Sequence, residues 1–143
     1  MIRNALIDDI DFIEEIEKSS FETPWSRASL EVEFYKDYSK MFIYEIDNII
    51  VGYIIIWDLG KEWELVTLAV SKEYRRMKIG TKLLEYALKL SDSNSIWRLE
   101  VDCKNKEAIS LYKKYNFNIV GEISNYYGQY KNAYRMLRHT NVV

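Results

Sequence analysis

Residues 72–82 hold five bases, Lys72, Arg75, Arg76, Lys78 and Lys82, against one acid, Glu73, a local charge of about +4. The chain as a whole carries a formal net charge of −2, so this cluster is a local device and its natural ligand is an anion. Leu68, Ala69 and Val70 end an apolar run that reads as a buried strand, and residues 71–78 read as a turn. Gly80 then opens a segment with Leu83, Leu84, Ala87 and Leu88 at helical spacing. Strand, turn and helix start in that order aim several backbone N–H groups and the positive end of a helix dipole at one point. That arrangement grips a pyrophosphate. On the same strand, alternation puts Glu64 on the face of Val66 and Leu68, an odd setting for a carboxylate without a role.

The elements that must position these groups follow from periodicity. A short strand at 2–6 precedes a helix, capped by Asp8 or Asp9, with Ile10, Ile13 and Ile16 on one face and acids on the other. Pro24, the only proline, breaks the pattern at Phe21-Glu22-Thr23-Pro24-Trp25-Ser26, and Ser26 caps a second helix through Leu30 and Phe34. Residues 41–46 and 49–57, joined by Asp47-Asn48, read as a β-hairpin, followed by a strand at 63–70. After the helix at Gly80 come a strand at 96–101, a helix at 105–115, and strands near 118–124 and 132–137. The fold class is α/β: a mixed central sheet flanked by helices, in the order β-α-α-β-β-β-α-β-α-β-β.

Composition narrows the function. The 143 residues are expected to form one domain, 1–143, and 48% are hydrophobic. No apolar run approaches the roughly 18–20 residues that span a bilayer. The chain starts directly with an acidic amphipathic segment rather than a secretory leader, and its one cysteine, Cys103, excludes an internal disulfide. A cytoplasmic protein with no membrane partner is expected. One histidine and one cysteine do not make a conventional zinc site, so no metal is expected, and His139 reads as tail. The net acidity argues against nucleic acid as a partner. The oligomeric state is left open.

The strand–turn–helix around 68–81 resembles the acetyl-CoA-binding motif of the GNAT N-acetyltransferases, Q/R-x-x-G-x-G/A. The resemblance runs along almost the whole chain and is nearest to the RimI-type N-terminal protein acetyltransferases. Thr23-Pro24-Trp25-Ser26 is similar to their Pro-Trp-Ser loop and Leu99-Glu100-Val101 to their Leu-Glu-Val strand. Asn105 with Ala108, Ile109, Leu111 and Tyr112 is similar to their Asn-x-x-Ala-Ile-x-Leu-Tyr helix. Asn125-Tyr126-Tyr127 and Ala133-Tyr134-Arg135-Met136 resemble their Tyr-Tyr loop and final strand. One position departs: the first motif glycine falls on Lys78, leaving Gly80. Glycine suits a positive φ or a close phosphate approach. A lysine fits if its φ is negative, and its ammonium then adds a phosphate contact.

The resemblance implies a GNAT fold and acetyl transfer from acetyl-CoA to the α-amino group of a protein or peptide N-terminus, by direct attack in a ternary complex. Glu100 takes the position of the general base and Tyr112 that of the acid for the departing thiolate. Glu64 is the alternative base. Leu68, Ala69 and Val70 would face the pantetheine arm through their backbones, and Arg75, Arg76, Met77, Lys78, Ile79, Gly80 and Thr81 would cradle the pyrophosphate. Asn105 would reach the cofactor or merely cap its helix. Glu100 could otherwise be a strand carboxylate paired with Arg98 or a lysine, and Tyr112 a core aromatic. Phe21, Trp25, Tyr126 and Tyr127 would line the acceptor cleft or fill core. Cys103 is not expected to act as a nucleophile. A small-molecule amine or a lysine side chain as acceptor, and a CoA-binding subunit without turnover, are the alternatives.

Overall fold

Asp47 and Asn48 both take positive φ (50° and 67°), the two-residue turn that matches strand twist, and close a hairpin between β2 (Ser39–Ile46) and β3 (Ile49–Asp58). The structure is a computed structural model and describes residues 1–139. Around the hairpin the chain forms β1 (Ile2–Asn4), α1 (Ile10–Ser20), α2 (Arg27–Glu33), β4 (Glu62–Val70), α3 (Ile79–Leu90), β5 (Ile96–Asp102), α4 (Lys106–Lys114), β6 (Phe117–Gly128) and β7 (Lys131–His139). Among the described residues, short 3-10 turns at Ile7–Asp9 and Lys72–Tyr74 are the only additions to the expected order. The strands lie in the order β1-β2-β3-β4-β5-β7-β6. His139 is no tail: it ends β7, opposite Ile96.

Contacts divide the chain into two compact units. The first comprises Met1–Asp58 and Val66–Leu90. Its β3 is buried on both faces. Tyr53 and Ile55 meet Ile10, Ile13 and Ile16 of α1 together with Leu30, Met41, Ile43 and Ala69. On the opposite face Gly52 lies against α3: a Cβ there would sit 3.2 Å from the Ala69 carbonyl oxygen, 3.2 Å from Ile79 Cγ2 and 3.3 Å from Leu83 Cδ1. Glycine is what lets the start of α3 approach the sheet. Ser26 caps α2 as expected, accepting from the Ser29 N–H. Asp9 does not cap α1 with its side chain. Its carboxylate is drawn away by a bidentate Arg3 guanidinium (2.8 and 3.0 Å) and by the Leu6 N–H (2.7 Å).

The second unit comprises Leu59–Leu65 and the described residues from Ser91 onward. β4 pairs in parallel with β5, Glu62–Glu64 facing Ile96–Arg98, while β7 runs antiparallel to both β5 and β6. Trp63 and Trp97 stack at 5.3 Å, and the buried Trp97 donates its indole N–H to Ser91 Oγ. Leu99, Val101, Ile109, Tyr112, Phe117, Ala133 and Met136 complete this core.

Candidate functional site

In the first unit, the Val66–Val70 part of β4 alternates: Thr67 and Ala69 are buried, while Val66, Leu68 and Val70 are half-buried on the other face. The strand leads through Ser71, whose N–H donates to the Val51 carbonyl, into the basic turn. Arg75 is tied down by Nε donating to the Val70 carbonyl (3.2 Å). Beyond it, Arg76, Met77 and Lys78 are exposed and Ile79 is buried. Among the described residues the N–H groups of Arg76, Met77, Lys78, Ile79, Gly80 and Thr81 donate to no protein acceptor; the first helical bond runs from Lys82 N–H to the Lys78 carbonyl (3.0 Å). Six successive unengaged donors at a helix start, flanked by cations, fit a pyrophosphate. Lys82 lies over the Tyr44 ring at 5.8 Å.

The turn reaches this shape through left-handed backbone at Arg76 (φ 68°) and Lys78 (φ 61°). The condition under which a lysine fits easily, a negative φ, is therefore not met at Lys78. The lysine adopts a left-handed conformation that glycine takes without steric cost, at the point where the chain reverses to start α3. The ammonium is exposed and the backbone carries strain.

Also in the first unit, Phe21 and Trp25 pack against the core cluster from the segment between α1 and α2. The Trp25 N–H donates to Glu17 Oε2 (2.9 Å). Glu17 is 1% exposed and also accepts, at Oε1, from the Thr67 hydroxyl (3.2 Å) and the Tyr53 phenol. Sequence reasoning placed α1's acids on its polar face, yet Glu17 follows Ile10 by seven residues and Ile13 by four. That spacing puts it on the isoleucine face.

In the second unit four charged residues alternate across one sheet face. Glu64 of β4 sits opposite Arg98 of β5 and accepts from its Nε (2.8 Å); Glu100, two residues on from Arg98, sits opposite Arg135 of β7 and accepts from its Nε (3.2 Å). Both carboxylates are largely enclosed. Glu100 thus pairs with neither Arg98 nor a lysine, and Arg135 is a partner that sequence reasoning did not single out. Hydrogen bonding to Glu64, helped by Glu100 and Glu62, holds the Arg98 guanidinium above its ordinary value.

Tyr126 and Tyr127 lie in β6 rather than in a loop, their rings edge-to-face at 4.8 Å, just before the turn into β7. Asn125, at φ 58°, accepts the Tyr130 N–H at its side chain and shapes this hairpin end. Burial raises the Tyr126 phenol, and the nearby Glu100 and Glu64 charges add to it. Burial likewise pushes Tyr127 up, with Tyr126, Asp102, Glu100 and Tyr112 contributing. The structure therefore brings Glu64, Glu100 and Tyr126 into mutual electrostatic range, and Tyr127 into range of Tyr112.

Tyr112 is buried against Phe117 (5.8 Å between rings), and burial pushes its phenol well above the usual value. Its hydroxyl makes no hydrogen bond among the described residues, and no fully buried side-chain oxygen or nitrogen is left without one. The ring is part of the core. Asn105 caps α4, its carbonyl oxygen accepting from the Ala108 N–H (3.2 Å), which leaves the amide nitrogen for a ligand. Cys103 donates weakly to Glu122, and burial holds it as a thiol. No cluster of metal-ligating side chains occurs among the described residues, and no helix there is long and apolar enough to cross a membrane.

A model of the acetyltransferase (GNAT) family matches residues 10–117. A Bacillus subtilis protein that carries the name ribosomal protein bS18-alanine N-acetyltransferase is 34% identical over 129 residues, covering 88% of this chain and 85% of the relative. An N-alpha-acetyltransferase of Saccharolobus solfataricus is 37% identical over 154 residues, covering 96% and 91%. The crystal structure of Ard1 from Thermoplasma volcanium superposes with a TM-score of 0.87 at 31% identity, over 99% of this chain and 98% of that one.

Proposed function

The chain belongs to the acetyltransferase (GNAT) family, and we propose that it transfers acetyl from acetyl-CoA to the α-amino group of a protein or peptide N-terminus, by direct attack in a ternary complex. The observation that carries the reading is the run of six unengaged N–H groups from Arg76 to Thr81. It occurs in a chain whose relatives, over about nine-tenths of its length, bear the names of N-terminal acetyltransferases. Residues 1–143 act as one catalytic domain in this reading, and the family match runs through segments of both units. The single thiol, Cys103, supports a cytoplasmic setting.

Acetyl-CoA, when bound, supplies the thioester carbonyl that the amine attacks. Arg76 to Thr81 hold the pyrophosphate through backbone N–H groups, with the Arg75, Arg76 and Lys78 side chains adding charge. Leu68, Ala69 and Val70 offer backbone groups to the pantetheine arm, and the Asn105 amide nitrogen donates to the cofactor. Glu100 takes a proton from the acceptor amine, directly or through water. An α-amine titrates near 7.7–8.0, so a carboxylate held in place by Arg135 has a modest task. Glu64 is the neighbouring carboxylate that shares this duty through water. Burial keeps the Tyr112 phenol protonated until reaction, so it hydrogen-bonds the departing sulfur and passes it that proton, recovering one afterwards from solvent. Cys103, protonated and tied to Glu122, is unsuited to carry an acyl group. Phe21, Trp25, Tyr126 and Tyr127 supply apolar walls for the acceptor's first residues.

The test is mass spectrometry of a peptide panel incubated with acetyl-CoA, varying the first residue among Ala, Ser, Thr, Met and Gly. One peptide has a blocked N-terminus and an internal lysine. A gain of one acetyl on free N-termini alone is expected. Acetylation of the blocked peptide, or of none, overturns the acceptor assignment.

A further inference from the structure

Glu17 is a carboxylate in an apolar core, between α1 and β3, with no cation paired to it among the described residues. Burying such a group is costly, and a leucine or methionine would fill the volume more cheaply for stability. What the carboxylate does instead is collect donors. Oε1 accepts from Tyr53 and Thr67, which fix the side chain against β3 and β4. Oε2 is left for one donor outside the core, the backbone N–H of Trp25 (2.9 Å). The Glu17 carbonyl, meanwhile, accepts the Phe21 N–H (3.2 Å) and ends α1. One residue therefore anchors both aromatic positions of a segment that has no helix or strand of its own.

From this convergence we infer that Glu17 is a positioning residue for the acceptor, fixing the backbone at Phe21 and Trp25 so that their rings present a preformed wall to the incoming peptide. The inference rests on the proposed reading in which these two aromatics line the acceptor cleft. A preformed wall lowers the ordering cost of binding, so its loss appears in the peptide KM. The cofactor cradle at Arg76 to Thr81 involves none of these bonds, so acetyl-CoA binding is independent of it.

The experiment is steady-state kinetics with an Ala-initiated decapeptide and acetyl-CoA on four variants. Glu17→Ala is expected to raise the peptide KM about tenfold, with the acetyl-CoA KM within twofold of wild type. Glu17→Gln should stay near wild type, because a carboxamide oxygen can accept the Trp25 N–H while its NH2 donates to the Tyr53 or Thr67 hydroxyl. Tyr53→Phe removes a core donor but leaves the Trp25 bond, so it should lower the melting temperature and leave the peptide KM unchanged. Trp25→Ala checks the underlying reading by itself. An unchanged peptide KM there overturns the cleft assignment and this inference with it. A raised KM in Trp25→Ala with an unchanged KM in folded Glu17→Ala overturns this inference alone. So do equal rises of both KM values in Glu17→Ala, or a KM rise in Tyr53→Phe matching it. Should Glu17→Ala not fold, amide hydrogen exchange of the wild-type protein decides. Slow exchange at the Trp25 N–H supports the anchor, and exchange at the rate of a free amide overturns it.

Discussion

Replacing Lys78 by glycine should make the protein more stable while weakening its grip on phosphate. Lys78 sits at φ 61°, where an L-residue crowds its own Cβ against the backbone, at a cost of about 1–2 kcal/mol. Glycine escapes that cost but brings extra freedom to the unfolded chain, worth about 0.5–1 kcal/mol in the opposite direction. The balance is a gain of about 0.5–1 kcal/mol, or about 3 °C in melting temperature for a chain of this size. The ammonium is exposed, so its loss should raise the acetyl-CoA KM by about tenfold, the lower end of the range for a charge-assisted hydrogen bond. Lys78→Ala separates the two effects, since it loses the charge and keeps the strained backbone. Calorimetry of the three proteins should rank glycine above lysine and alanine, and kinetics should show the same KM rise in both variants. A glycine variant that melts no higher than the alanine variant would refute the argument, because the left-handed backbone would then carry no cost.

Glu100→Gln should lower kcat by about 10²–10⁴ with the acetyl-CoA KM unchanged, and Glu64→Gln by less; identical pH–rate profiles for the two would sink a single-base mechanism. Gly52→Ala pushes a methyl to 3.2 Å from both the Ala69 carbonyl and Ile79, so a loss of about 1–3 kcal/mol in urea unfolding and a raised acetyl-CoA KM are expected together. Burial lifts Tyr53, Tyr112 and Tyr127 above the ordinary phenol value, so the unfolded chain releases these protons first as pH rises. Their contribution is intact below about pH 10 and declines above it, by about 1.4 kcal/mol per pH unit for each tyrosine. Urea midpoints between pH 8 and 11 should fall accordingly, less steeply in Tyr53→Phe.

The order of elements was legible because each one carries its own period: isoleucines three apart for α1, alternation for β4, Asp47-Asn48 for the hairpin turn. What escaped was set at long range or at a single backbone angle. Arg135 meets Glu100 only because β7 docks on β5 in one register, and nothing within either strand states that register. The left-handed φ of Lys78 belongs to a reversal that residue type alone does not announce. The family resemblance implies a loop at Tyr126 and Tyr127, whereas irregular pairing carries β6 through to Gly128. The position of Glu17 is legible in principle, since its spacing from Ile10 and Ile13 puts it on the buried face of α1, but a charged residue type by itself points to solvent.

The placement of β7 has a consequence for how the chain comes together during synthesis. It lies between β5 and β6, although both are translated before it. Until β7 emerges, β5 and β6 each expose backbone edge that only β7 can close, and the Glu100 carboxylate awaits its guanidinium. The pairing Ile96 to His139 closes a long loop, which makes this a slow step late in folding. A nascent or shortened chain ending before residue 131 would therefore be prone to edge-to-edge association and would lack an organised carboxylate row. Acquisition of activity and escape from aggregation should coincide in a single event, the insertion of β7.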